Sequence, residues 1–150
     1  INYLSMLKYK KRMLLKGCIH MRNIYTVEQF EILHNELHFS LNENGAAIQI
    51  TPAGQVIADS DQLSFIYLVE EGNEYSYLSF PQSIWSSLVQ LLQQELTPYI
   101  VTGNERKELV NFNDELQMLI FNIEGNDNYG SLFVTAVENE FQAILQNDTI

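Results

Sequence analysis

Phe65-Ile66-Tyr67-Leu68-Val69, followed by Glu70-Glu71-Gly72-Asn73-Glu74 and Tyr75-Ser76-Tyr77-Leu78-Ser79-Phe80, is the stretch that decides the fold class. Five consecutive apolar residues, all β-branched, aromatic or leucine, read as a strand buried on both faces. The acidic, glycine-containing stretch after them is a hairpin turn, and the aromatic-rich run is the returning strand. Pro81 ends it and suits the first turn of a helix, where its missing N–H costs nothing. Ile84, Trp85, Leu88, Leu91 and Leu92 then recur at three- and four-residue spacing, which predicts an amphipathic helix to about Glu95.

Upstream, the β-rich Ile24-Tyr25-Thr26-Val27 favours a strand over 24–33. The competing reading is a capping box, Thr26-x-x-Gln29, opening a helix with Val27, Phe30, Leu33 and Leu37 on one face. Leu37, Phe39 and Leu41 alternate with polar residues as a half-buried strand. Asn44-Gly45 offers a tight turn, with Ala47-Ile48-Gln49-Ile50 as the returning partner. Pro52 and Gly54 break that partner, Val56 and Ile57 form a short apolar step, and Asp59-Ser60-Asp61 turns the chain.

Downstream, Tyr99-Ile100-Val101 and Glu108-Leu109-Val110 read as two short strands around Gly103-Asn104. Asn111 or Asn113 can cap a helix carrying Asp114 and Glu115 in its first turn and Leu116, Leu119, Ile120 and Ile123 as its apolar stripe. Gly125 stops it, Asn128 or Ser131 caps the next, and a final helix runs from about Ser131 to Leu145 with Phe133, Val137, Phe141 and Ile144 inward. The expected fold is α+β: an antiparallel sheet of short, hairpin-linked strands in the first two thirds, packed by about three amphipathic helices, two of them C-terminal.

Composition bounds the function. The 150 residues are 46% hydrophobic and 18% charged, which is ordinary for a globular chain, with a formal net charge of -11. Six of the eight basic residues (Lys8, Lys10, Lys11, Arg12, Lys16 and Arg22) and none of the 19 acids lie in the first 22 positions, so the rest carries −17. The basic stretch lacks the apolar run of about 7–15 residues that a secretory signal needs, because Lys16 interrupts after Met13-Leu14-Leu15. A basic arm for nucleic acid or anionic lipid is physically possible, but it is tethered to an acidic body that repels the same polyanion. The preferred expectation is that residues 1–20 are an upstream translation of the reading frame ahead of a start at Met21, or else a disordered basic extension. Residues 21–145 are then a single α+β domain and 146–150 a tail. Cys18, the one cysteine, would leave with the extension, and thiol chemistry with it. A cytoplasmic protein without nucleic-acid or membrane partners is expected.

No residue is assigned a catalytic, cofactor-binding or metal-binding role. His34-Asn35-Glu36-Leu37-His38 is not a zinc-binding His-Glu-x-x-His, and in a hairpin its imidazoles fall at the turn and on the solvent face. Asp59 and Asp61 are the better carboxylate candidates because they precede a buried strand; Glu70, Glu71 and Glu74 belong to a solvated turn. Glu124 to Gly130 imitates the start of a calcium loop but places Tyr129 where glycine is required and Thr135 where glutamate is required. It is nevertheless specific for a connector, so Asn126, Asn128, Tyr129 and Gly130 join Asp59 and Asp61 as contact candidates.

Three groups of residues carry a likeness: Asp59-Ser60-Asp61-x-x-Ser64-Phe65-x-Tyr67; Tyr75-x-Tyr77-Leu78-x-Phe80-Pro81 with Trp85; and Asn122-Ile123-x-Gly125-Asn126-x-Asn128-Tyr129-Gly130-x-x-x-Val134-Thr135-Ala136-Val137-Glu138-x-x-Phe141. With these the chain, from about Met21 to Phe141, resembles the short YjbL-like uncharacterised proteins of low-GC Gram-positive bacteria. The resemblance implies a start near Met21, a cytosolic setting and no assigned activity. It departs at Ser131-Leu132, where the relatives are polar or charged, and in a longer tail, which marks Leu132 and Phe133 as a contact surface. The expected function is a non-enzymatic interaction or regulatory protein, acting on an unknown protein partner or on itself without a cofactor. The alternative is a small-ligand or divalent-metal module, or a metal-assisted enzyme, using Asp59 and Asp61.

Overall fold

β4 (Ser64–Glu71) and β5 (Glu74–Pro81) form the expected hairpin about Gly72, whose φ of 64 suits a residue without a side chain. In the computed structural model, which describes residues 23–41 and 48–146, they sit within a seven-stranded sheet ordered β3-β4-β5-β1-β2-β6-β7. The other strands are β1 (Ile24–Leu33), β2 (Glu36–Leu41), β3 (Thr51–Asp59), β6 (Thr97–Thr102) and β7 (Glu105–Glu108). The helices are α1 (Trp85–Gln93), α2 (Phe112–Ile123), α3 (Ser131–Glu140) and α4 (Gln142–Gln146), with 3-10 turns at Gln82–Ile84 and Asp127–Tyr129. The α+β class stands and residues 24–33 are strand, but the sheet is mixed. β1 runs parallel to β5 and β2 parallel to β6, whereas the expectation was antiparallel throughout. These parallel neighbours are far apart in the chain, and local alternation carries no information about such pairings.

Several local expectations change for the same reason. β2 turns back on β1 through His34-Asn35, with His34 at φ 57, and its other side is taken by β6. No side of β2 is left for the hairpin expected through Asn44-Gly45; those two residues and Ala47 lie outside the described residues, and Ile48-Gln49-Ile50 is not strand. Pro52 and Gly54 do not break a strand but lie inside β3, where the register shifts between Pro52 and Val56. β3 is an end strand of the order, the place where a sheet tolerates proline and a bulge. β7 ends at Glu108, so the strand expected over Glu108-Leu109-Val110 is displaced toward the turn. The last helix is interrupted at Phe141, giving four helices among the described residues rather than about three. Nor does an asparagine side chain cap α2: Asn111 occupies the cap position with a φ of 62 and no side-chain bond, and Asn113 donates to Leu96 O at 2.8 Å. No described helix is long and apolar enough to cross a membrane.

The inner face of β4 presents Phe65, Tyr67 and Val69 to the helices. Trp85 stands 5.1 Å from Phe65, 5.7 Å from Phe141 and 6.0 Å from Phe133, ring centre to ring centre, and its buried indole N–H donates to Phe80 O at 2.9 Å. The opposite face presents a separate buried cluster, Ile57, Ile66, Leu68 and Tyr77.

Two contacts draw the ends of the sheet together. Lys107 Nζ donates to Ile50 O at 2.6 Å, beside the start of β3. The fully buried Tyr67 hydroxyl donates to Val110 O at 2.8 Å and accepts the Gly54 N–H at 3.1 Å. Gly54, at φ +80, is needed here: a Cβ would lie 2.9 Å from Asn111 Nδ2. Burial pushes the Tyr67 phenol up to about 12; the Gly54 N–H opposes this shift and the Glu108 charge adds to it. A phenol that holds its proton more tightly folded than unfolded contributes stability below the ordinary value of 10, and this is lost as pH rises toward 12. Tyr67→Phe is therefore expected to cost about 1–3 kcal/mol at neutral pH, by orphaning two backbone groups, and to remove that alkaline step. Urea unfolding between pH 7 and 12 measures both; an unchanged alkaline limb in the variant contradicts the assignment.

Candidate functional site

Asp59 closes β3, where its Oδ1 accepts the Gln62 N–H at 3.2 Å, and Asp61 is exposed in the turn that follows. Among the described residues, no group of three or more His, Cys, Asp or Glu side chains is placed to hold a metal ion, so the two aspartates stand without further ligands of that kind.

In the Asn126 to Gly130 connector, Asn126 and Tyr129 make local side-chain hydrogen bonds, while Asn128 and Gly130 are exposed. Asn126 Oδ1 accepts the Asn128 N–H at 3.1 Å and its Nδ2 donates to Asn122 O at 3.2 Å, so Asn126 caps the 3-10 turn. Tyr129 is buried, and its hydroxyl accepts from Asn122 Nδ2 at 2.9 Å. The Gly125 N–H donates to Glu138 Oε2 at 2.9 Å, tying the end of α2 to α3. Neither Asn128 nor Ser131 caps α3; Gly130 holds that position at φ 86 and ψ 140. These bonds make the motif a well-defined joint between α2 and α3. The Leu132-Phe133 surface divides as well: Leu132 is 82% exposed while Phe133 packs in the core at 1%.

Two polar clusters become visible only in the fold. Glu36 Oε1 meets His38 Nε2 at 2.9 Å and accepts a hydrogen bond from Arg106 Nη1, whose guanidinium lies 4.4 Å above the Tyr99 ring. The hydrogen bond to His38 holds the Glu36 carboxyl below its ordinary value; desolvation opposes this and Arg106 reinforces it. His38 sits on the outer side of β2 as the alternation predicts, but Arg106 reaches it only because β6 and β7 are laid beside β2. The cluster clamps three strands and neutralises its own charges. In the second, Glu71 accepts from Asn23, Tyr25 and Ser76 at 3.0, 2.7 and 2.6 Å. Burial raises this carboxyl and the three hydrogen bonds outweigh it, leaving it below the ordinary value.

The arrangement with unspent recognition capacity is a cleft of ≈ 260 Å³ where α1 leads into β6 and β7 into α2. Glu95, Glu108, Asp114, Asn111 and Asn113 supply its polar lining. Asn113 Oδ1 is buried beside it without a hydrogen-bond partner, while its Nδ2 is engaged with Leu96 O. Glu95 and Asn111 hold positive φ angles of 52 and 62, conformations that side-chain-bearing residues seldom adopt. Asp114 shows in the sequence as a helix-start acid; its meeting with Glu95 and Glu108 does not.

If Gly130 is a joint rather than a contact, its backbone angles are what matter. Gly130→Ala is expected to destabilise the fold by about 1–3 kcal/mol although an added Cβ would meet nothing within 4 Å. Urea denaturation checks this, and a change below about 0.5 kcal/mol refutes the conformational assignment.

The model of UPF0738, a family of unknown function, matches residues 25–141. A UPF0738 protein of Lysinibacillus sphaericus is 53% identical over 125 residues, covering 83% of this chain and 98% of the relative. Relatives from Bacillus cereus and Staphylococcus saprophyticus are 33% and 35% identical, covering 81% and 77% of this chain and 99% and 95% of their own. No solved structure matches. The low-GC Gram-positive lineage expected from the residues is that of these relatives. The chain belongs to the UPF0738 family.

Proposed function

We propose that this chain is a non-enzymatic protein of the cytoplasm that recognises a basic side chain, lysine or arginine, presented by a protein partner. The observation that carries the reading is a cleft lined by Glu95, Glu108 and Asp114 beside the buried, unpartnered Asn113 Oδ1. A buried acceptor without a donor costs about 1–3 kcal/mol, and a ligand N–H in the cleft relieves it once the Asn113 side chain turns toward it. Three carboxylates around it select a cationic donor, and the −17 carried by residues 23–150 favours approach of a positive surface while repelling nucleic acid. The cleft is small for a drug-sized molecule, whose pockets run to about 300–1,000 Å³, and suits one inserted side chain.

N-acetyl-arginine amide and N-acetyl-lysine amide are the probes, with sodium acetate as the control. The expected result is a saturable shift of the Asn113 side-chain amide resonances with at least one cation and none with acetate. Glu108→Gln combined with Asp114→Asn should weaken it by at least about tenfold, or 1.4 kcal/mol. A photoreactive residue at Glu95 should capture a protein in the cell of origin, and one at the exposed Asn139 should not. Absence of any resonance shift overturns the reading; a shift without capture overturns its protein-partner part.

A further inference from the structure

On the far side of the sheet from the helices, Ile57, Ile66, Leu68 and Tyr77 are only 3–7% exposed. They form a cluster of their own: every apolar residue buried by α1, α2, α3 and α4 belongs to the inner cluster. The outer face is thus buried, yet no described helix contributes to it. Acids stand on this face at both ends: Asp59, in step with Ile57 along β3, with Asp61 just beyond, and Glu70, in step with Leu68 along β4.

We propose that residues 1–22 of this chain dock across the outer face of β3, β4 and β5 as a basic, apolar strap. Three observations favour this occupant. The first is position: the segment ends at Asn23, whose carbonyl accepts the Tyr77 N–H at 2.9 Å, so it enters at the edge of the cluster. The second is length: three strands spaced about 4.8 Å apart present a face about 10 Å wide, and 22 residues reach about 33 Å even as a helix. The third is chemistry. Residues 1–22 hold Leu4, Leu7, Met13, Leu14 and Leu15 together with six bases and no acid, matching an apolar face with acidic ends. The other stretches outside the described residues fit poorly: 42–47 and 147–150 contain one large apolar side chain between them, Ile150. The body of a second copy, residues 23–150, would bring its own −17 against the same acids. The proposal is independent of the acidic cleft, and it replaces the expectation that residues 1–20 stand apart from the fold.

The test uses the full chain. Trypsin cuts after Lys8, Lys10, Lys11, Arg12, Lys16 and Arg22 should be at least about tenfold slower than in a free peptide of residues 1–22, with protection falling in 1 M salt, where screening shortens to about 3 Å. Leu14→Asp should restore the peptide rate while the emission of Trp85, the sole tryptophan, stays that of a buried indole. A photocrosslinker on Cys18, the sole thiol, should join residues of β4 or β5 within the same chain. Cleavage of the full chain at the peptide rate, protection that survives Leu14→Asp, or crosslinks that join two chains or reach the helices would each overturn the proposal.

Discussion

A strand that is apolar on both faces must be covered twice, and β4 imposes that demand on the whole molecule. Its inner side is met by four helices whose apolar stripes converge on Phe65, Tyr67 and Trp85. Burial of that many aromatic rings is the dominant favourable term, at roughly 25 cal/mol per Å² of apolar surface removed from water. Its outer side gathers Ile57, Ile66, Leu68 and Tyr77, a second layer that the helices never touch. The mixed sheet answers the same demand: inserting the β1–β2 hairpin between β5 and β6 carries the curl round until β3 and β7 approach, and the helices fill the concave side.

Polar groups inside such a curl have to be satisfied locally, and the chain does so with few residues. Tyr67 turns one hydroxyl into a bridge between the β3 bulge and the segment after β7. Asn122, Asn126 and Tyr129 hold the joint between α2 and α3, and Glu71 gathers three donors at the turn end of the β4–β5 hairpin. Against this economy the lone Asn113 Oδ1 stands out, because it is buried beside acids that have no described cation among them.

Much of this was legible locally. The apolar run 65–69, the turn at Gly72, the strand over 24–33, the helices after Pro81 and Asn111, and the left-handed stop at Gly125 all follow from nearest-neighbour patterns. What failed depended on partners distant in the chain. Pro52 and Gly54 look like breakers until β3 is placed at the sheet's end with a bulge, and Asn44-Gly45 looks like a hairpin until β6 takes the free side of β2. The Asn126 to Gly130 motif is legible as a specific connector, while the bonds by which Asn122, Asn126 and Tyr129 hold it appear only in the structure.

The amino-acid sequence by itself determined the α+β class, the segments that must be buried, the division of charge between a basic first 22 residues and an acidic remainder, and the lineage. These are properties of composition and short-range periodicity, written wherever they occur. Tertiary structure alone decided which strands lie side by side, which of the polar residues are consumed by the fold, and that Glu95, Glu108, Asp114 and Asn113 share one cleft. Strand order is set by the free energy of burying both faces of a sheet at once, a sum over residues as far apart as Gly54 and Val110, and no local pattern contains that sum.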